Sequence, residues 1–293
     1  MKYALFLGCT ISVREQNYEI AVREVAKKLE IEFEDIEDFS CCGFPIKSSN
    51  NKVSLMIAAR NLAIAANKEG KICSLCNACT AALTEANKEL TNNIEVRKKI
   101  NKELAKIGKK FKPGVKIKHF SRILYEDIGL DILKKNVVKD LSMLKFSVHY
   151  GCHYLRPMEL YDHFEDAENP FTVEKLLAAT GATIVDYKNK LDCCGGPIFG
   201  IEKNIARSMA KQKLENLSAA NVDALITICP LCSIIYEDTQ KKMEAEFSLK
   251  YNLPVLYLPQ VLGLAFGIDQ KNLGFHLNKT KADALLEKVK KIK

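Results

Sequence analysis

Two pairs of adjacent cysteines limit what this chain can be. Cys41 and Cys42 lie in FSCCGFPIK, and Cys193 and Cys194 lie in LDCCGGPIF, each pair in a C-C-G-x-P frame. Neighbouring side chains on an extended backbone point to opposite faces. A disulfide between adjacent residues is strained, because the two α-carbons sit too close for relaxed geometry. Two neighbouring sulfurs therefore call for a shared object to grip and for a bent backbone that presents both. Glycine after the pair permits close approach and unusual dihedrals, and the proline fixes the turn.

The pairs belong to a longer repeat. KYALFLGC, ending at Cys9, aligns with KFSVHYGC, ending at Cys152. FSCCGFP aligns with LDCCGGP, and KICSLCNACTAALTE with TICPLCSIIYED. VKIKHFSRILYEDIGLD aligns with LPVLYLPQVLGLAFGID. Four landmarks in one order are the mark of a tandem duplication. The halves are assigned to residues 1–143 and 144–293, the second copy starting near Lys145. Each half is of domain size. Residues 3–7, 146–150, 183–187 and 223–228 read as strands, and 14–29, 51–67, 171–180, 202–217 and 231–247 as helices. Residues 77–107 read as a long, mostly helical stretch. Strands alternating with helices predict an α/β fold: two tandem, pseudo-symmetric domains with mainly parallel sheets and flanking helices. Ligand sites in such sheets gather at the carboxyl ends of strands, where Cys9, Cys152 and Cys229 are expected.

The cysteines number eleven, an odd count. The N-terminus MKYALFLGC has no extended apolar core followed by a cleavage site, so a cytoplasmic location is expected. A reducing compartment argues against a disulfide framework and for metal or redox chemistry. The second half offers Cys152, Cys193, Cys194, Cys229 and Cys232. The first offers Cys9, Cys41, Cys42 and an overlapping CSLCNAC, in which Cys73, Cys76 and Cys79 compete. Local identity of ICSLC with ICPLC favours Cys73 and Cys76. Spacing favours Cys76 and Cys79, since 33 residues separate Cys42 from Cys76 and 34 separate Cys194 from Cys229. Cys76 and Cys79 are chosen, leaving Cys73 as a structural thiol. That makes five cysteines per half, whereas tetrahedral zinc and a cubane iron–sulfur cluster each need four. A larger or less symmetric centre accounts for the fifth; two zinc sites, each with a spare thiol, are the alternative.

No run is apolar enough to cross a bilayer, and LPQVLGLAFGI reads as a buried helix. The net charge is +8, read mainly as solvated lysine faces and a basic tail. It also suits an anionic substrate. Aromatics are not interleaved with the lysines, which disfavours nucleic acid. No Gly-rich nucleotide turn is present, so neither flavin nor NAD is expected in this chain.

The doubled C…CCG…C-x-x-C pattern, HYGCHYLRP at 149–157 and KHFSRILYEDIGLD resemble the B subunit of heterodisulfide reductase from methanogenic archaea, a family of cysteine-rich CCG domains. The resemblance runs from about Met1 to Gly274. It implies a noncubane 4Fe–4S cluster on five cysteines in each half. One would use Cys9, Cys41, Cys42, Cys76 and Cys79, the other Cys152, Cys193, Cys194, Cys229 and Cys232. It implies reduction of the disulfide of coenzyme M and coenzyme B. It also implies two partners, a flavin-containing A subunit and an iron–sulfur C subunit, with a hydrogenase or formate dehydrogenase as electron source. Partner contacts are expected along the charged stretch 85–112 or the basic tail. The overlapping CSLCNAC departs from the family pattern.

His153 and Arg156 are candidate catalytic residues: His153 to deliver a proton or hydrogen-bond a cluster sulfur, Arg156 to pair with a substrate anion. His149 is read as packing, and His119 and His276 as surface or packing residues. Asp186 and Asp192 are read as turn or strand-end residues, and the Met and Phe positions in 199–217 as core. The competing function is an electron-transfer iron–sulfur subunit of another oxidoreductase, of the glycolate or lactate oxidase or thiol:fumarate reductase type.

Overall fold

The computed structural model describes residues 1–68, 70–247 and 250–292. It contains two four-stranded sheets. The first is built from β1 (Lys2–Phe6), β2 (Glu32–Asp35), β3 (Lys71–Ser74) and β4 (Lys116–His119), in the order β2-β1-β3-β4. The second uses β5 (Lys145–His149), β6 (Thr183–Ile184), β7 (Ala224–Thr227) and β8 (Val255–Tyr257), in the order β6-β5-β7-β8. Every pairing is parallel, so the α/β reading holds and "mainly parallel" becomes wholly parallel. Parallel strands covered by helices on both faces read as continuous apolar runs rather than alternations. Accordingly β7 is buried throughout and β1 and β5 are exposed only at their first residue.

The order β2-β1-β3-β4 has a physical consequence. The chain leaves β1 for one neighbour, then crosses back to the other. A crevice opens where the two connections diverge, at the carboxyl ends of the strands. Both sheets have this crevice, and both CCG loops lie in it.

Several helices match their expected spans, including Asn51–Ala66, Lys203–Ala219 and Pro230–Phe247. The expected stretch 77–107 is instead two helices, Asn77–Asn92 and Ile94–Ala105. Asn93 separates them: its Oδ1 accepts the Val96 amide at 3.1 Å and starts a new helix. The expected strand 183–187 keeps only its first two residues, because the Val185 carbonyl accepts the Ser147 hydroxyl instead of continuing the ladder. Phe199 and Met209 are half-buried, not core.

The two halves share one apolar core. The helix Leu258–Ala265 is buried on every face, as LPQVLGLAFGI predicts. It packs on Gln16–Lys28 of the first half. Tyr18 stacks on Tyr257 with ring centroids 4.0 Å apart, worth about 0.5–1.5 kcal/mol beyond area burial. The Tyr257 hydroxyl donates to Glu15 at 2.7 Å and that of Tyr18 to the Ile228 carbonyl at 3.3 Å. These contacts fix the angle at which the two crevices face each other.

Candidate metal centre

Cys9 and Cys152 follow β1 and β5 directly, at the starts of short helices. Gly8 and Gly151 precede them with φ of +66° and +80°. A Cβ at Gly8 would lie 2.8 Å from Cys79 Sγ, and one at Gly151 2.7 Å from the Asn77 amide and 3.4 Å from Cys232 Sγ. Glycine is required at both turns so that another cysteine's sulfur can approach the backbone. The CCG loops follow β2 and β6, and Cys76 and Cys229 follow β3 and β7 at the mouths of the long helices. Gly43 and Gly195, at φ of +88° and +82°, turn each loop back on itself. Their amides then donate to Cys41 Sγ at 3.4 Å and Cys193 Sγ at 3.3 Å, and the Gly196 amide donates to Cys194 Sγ at 3.3 Å.

The folded chain brings the sulfurs near enough for neighbouring thiols to perturb one another in one unbroken series. It runs from Cys9 through Cys41, Cys42, Cys79 and Cys76, then through Cys229, Cys232, Cys194 and Cys193 to Cys152. Five come from each half, and the halves meet where Cys76 and Cys229 perturb each other. All are free thiols; Cys9 is exposed and Cys41, Cys152 and Cys193 are half-buried. Cys73 is outside the series. It is fully buried within β3, paired in register with Leu5 and Lys118, and burial alone raises its pKa.

Three thiols have their pKa values lowered by neighbouring thiols. Cys42 is brought down to about 7, chiefly by the thiol of Cys79 donating to it. Cys193 is lowered by Cys152, and Cys229 by Cys232. Crowded thiols with amide donors aimed at their sulfurs are the donor set a thiolate-bound metal needs.

His153 lies where the sequence expects it, Nδ1 3.3 Å from Cys152 Sγ and its ring edge-on to Phe44 at 4.7 Å. Burial lowers its pKa, so it is neutral near pH 7. Arg156 sits at the rim, exposed and paired with Glu168 at 2.5 Å. It lines an opening of about 340 Å³ together with Cys152, Cys193, Gln212 and Lys213. A second, narrow space of about 20 Å³ lies between the halves, lined by Phe44, Asn77, His153, Pro197, Cys229 and Leu231 among others. Asp192 sits at a bend and Asp186 in the chain two residues past β6, their carboxylates bonded to Asn189 and Lys190.

Three residues take roles the sequence did not reveal. His149, expected only to pack, has a ring nitrogen within 4.8 Å of the Cys194 and Cys232 sulfurs. Lys213 is a buried lysine at 1% exposure, its Nζ donating to His149 Nδ1 at 3.0 Å. Burial pulls its pKa down to about 8, against the pull of nearby Cys232 and Cys194. His119 is fully buried, and its Nε2 donates to the Ile228 carbonyl at 3.1 Å, one residue before Cys229. Its Nδ1 accepts the Ser121 amide, which fixes the tautomer. Burial lowers its pKa to about 4. The sequence signal for His119 was its place in the fourth repeated landmark, opposite Tyr257. His276 is exposed.

The sites also leave buried groups seeking a partner. Lys213 donates to His149 Nδ1, so the ring carries its proton on Nε2, which has no hydrogen-bond partner among the described residues. A buried N–H without an acceptor, on a ring that has a nitrogen within 4.8 Å of two cysteine sulfurs, fits a site whose acceptor is an inorganic sulfide.

Comparison with known proteins agrees with this geometry. The cysteine-rich CCG domain matches twice, over residues 3–84 and 146–235. A protein of Archaeoglobus profundus that is named as like the B subunit of heterodisulfide reductase is 34% identical, with 93% of each chain covered. The B subunit of the ferredoxin:CoB-CoM heterodisulfide reductase of Methanosarcina mazei is 33% identical over 99% of this chain and 98% of its own. The 8-methylmenaquinol:fumarate reductase membrane anchor subunit of Wolinella succinogenes is 31% identical over 94% of this chain and 96% of its own. Among solved structures, a hypothetical protein from Helicobacter pylori superposes with a TM-score of 0.77 at 14% identity. That match covers 96% of this chain and about half (52%) of the other, and it speaks to the fold alone. No helix among the described residues is long and apolar enough to cross a membrane.

Proposed function

This chain belongs to the family of heterodisulfide reductase B subunits, cysteine-rich CCG proteins, and from that premise we propose that it is the catalytic iron–sulfur component of a heterodisulfide reductase. In this reading Cys9, Cys41, Cys42, Cys76 and Cys79 hold one noncubane 4Fe–4S cluster, and Cys152, Cys193, Cys194, Cys229 and Cys232 hold the other. The substrate is the mixed disulfide of coenzyme M and coenzyme B, reduced to two thiols. The observation that carries the proposal is the single series of sulfurs, five from each half, joined at Cys76 and Cys229.

Disulfide cleavage takes two electrons, and bound iron–sulfur clusters supply electrons one at a time. Two adjoining sites answer that need, which is a reason for the duplication. The chain's own residues do the rest. The amides of Gly43, Gly195 and Gly196 neutralise charge on the ligand sulfurs. His153, neutral and beside Cys152, is placed to donate a hydrogen bond from its ring N–H to a ligand sulfur or a product thiolate, whose proton comes from solvent. Arg156 offers a cation to the substrate's sulfonate, phosphate or carboxylate at the rim by exchanging its exposed partner Glu168. Electrons would arrive from a hydrogenase or formate dehydrogenase through the flavin-containing A subunit and the iron–sulfur C subunit. The matching location for such a complex is the cytoplasm.

The likeness to the Wolinella protein supports a second reading, an electron-relay component of a different oxidoreductase. Protein purified without oxygen separates the possibilities. About eight irons with matching acid-labile sulfide are expected for two four-iron clusters. Reduction of the heterodisulfide by a chemical reductant, with an EPR signal altered by coenzyme M, supports the reductase. Full iron without either response supports the relay. Zinc without sulfide refutes both.

A further inference from the structure

The two halves repeat their cysteines but not the side chains behind them. Asn61 and Lys213 occupy one position, each 19 residues beyond the second cysteine of its pair. Phe6 and His149 occupy another, each three residues before the first cysteine of its half. In the first half Asn61 is fully buried and neutral. Its Oδ1 accepts the Ser40 amide at 3.0 Å and its Nδ2 donates to the Cys41 carbonyl at 2.9 Å. In the second half the Lys213 Nζ donates to the carbonyls of Lys190, at 2.9 Å, and Asp192. Both residues tie down the chain that leads into a cysteine pair. Only Lys213 brings a charge.

No carboxylate bonds to it: among the described residues Lys213 bonds to His149 Nδ1 and the two carbonyls, and the Asp192 carboxylate attracts it without a direct bond. A buried cation is costly unless an anion faces it. The sulfurs of Cys232 and Cys194 attract it most strongly, ahead of Asp192, and the His149 ring bonded to it has a nitrogen within 4.8 Å of both sulfurs. The first site has the ring of Phe6 and the amide of Asn61 instead, neither of them charged.

We propose that Lys213, acting through His149, makes the second site easier to reduce than the first. The inference rests on the reading of both sites as iron–sulfur centres. A one-electron reduction adds one negative charge to the site. A buried cation stabilises that charge, while a neutral amide and a phenyl ring do not. The first electron delivered by the donor therefore settles behind Cys193 and Cys194. Lys213 is a positioning and potential-setting residue, not a catalytic one.

The test is a potentiometric titration followed by EPR, on full-length protein assembled without oxygen and reduced with dithionite. A Cys42→Ala protein identifies the second-site signal. In the unaltered protein the second site is expected to accept its electron at the higher potential. Lys213→Met is expected to shift that site toward the oxidised form by at least tenfold, about 59 mV for one electron. The first-site signal stays in place, and Lys213→Arg stays within about twofold of the original. Lys213→Gln, which keeps a hydrogen-bond donor, carries the same expectation if Lys213→Met fails to assemble. Equal potentials in the unaltered protein overturn the inference. So does an unmoved second-site potential in either neutral variant with full iron content, which would leave Lys213 a hydrogen-bonding strut. Zinc without sulfide overturns the proposed function as well, whereas iron at both sites with equal potentials overturns this inference alone.

Discussion

Replacing Gly195 by alanine puts a methyl group where the CCG loop of the second half meets the helix Lys203–Ala219. Gly195 has a φ of +82°, and its added Cβ would lie 2.8 Å from both the Cα and the carbonyl oxygen of Ala206. Both obstructing atoms are main chain of the buried Ala206 inside a helix, so no side chain can swing aside. The left-handed backbone costs an L-residue about 1–2 kcal/mol. Forcing the loop off the helix adds about 1–3 kcal/mol of overpacking. The expected loss is therefore about 2–5 kcal/mol, a large share of the stability of a typical domain. Gly108→Ala is the control: it has a φ of +65° with nothing within 4 Å of the added Cβ, so it should lose only the backbone part. Urea denaturation of the metal-free variants measures both. Because the Gly195 amide donates to Cys193 Sγ, the loop shift should also halve the bound iron while the Gly108 variant keeps it. Equal stability losses in the two variants would refute the claim that the helix backbone obstructs this loop. Full iron in Gly195→Ala would refute its role in presenting the cysteines.

Cys73→Ala should lose about 1 kcal/mol, the cost of one deleted buried group, with iron unchanged; Cys79→Ala should lose first-site iron, and the reverse pattern would transfer the ligand role to Cys73. Glu237 is buried, and burial raises its pKa to about 7 from 4.5. The folded state thus holds the proton longer than the unfolded state, so this stability is present below pH 4.5 and is lost as pH rises through about 7. Glu237→Gln keeps an oxygen for the Lys279 and Thr280 amides and should gain about 3 kcal/mol on the native chain between pH 4.5 and 8; a pH-independent difference in denaturation would contradict this. Asn77 Nδ2 donates to the Tyr150 carbonyl at 2.5 Å across the halves. Asn77→Ala should cost about 1–3 kcal/mol, read as a lower denaturation midpoint; an unchanged midpoint would mean another donor reaches Tyr150.

Much of this protein was legible in its residue order, for identifiable reasons. A cysteine turn is local: Gly-Cys, C-C-G-x-P and C-x-x-C each carry their geometry within a few residues, so the repeated landmarks announced the turns that present the cysteines. Strand–helix alternation is also local and predicted the parallel α/β sheets. Local rules failed where a single interaction overrode them, as at Asn93, whose capping side chain broke one long helix into two. They failed again at residues 185–187, where the Ser147 hydroxyl took the carbonyl that would have extended the strand. The tertiary structure alone decided how the halves face one another. The approach of Cys76 to Cys229, the reach of His119 to Ile228 and the burial of Lys213 behind His149 each join residues at least 64 positions apart. No periodicity encodes such pairings. They follow from the angle set by the Tyr18–Tyr257 stack and by the packing of Leu258–Ala265 on Gln16–Lys28. That angle brings two copies of one cysteine motif face to face.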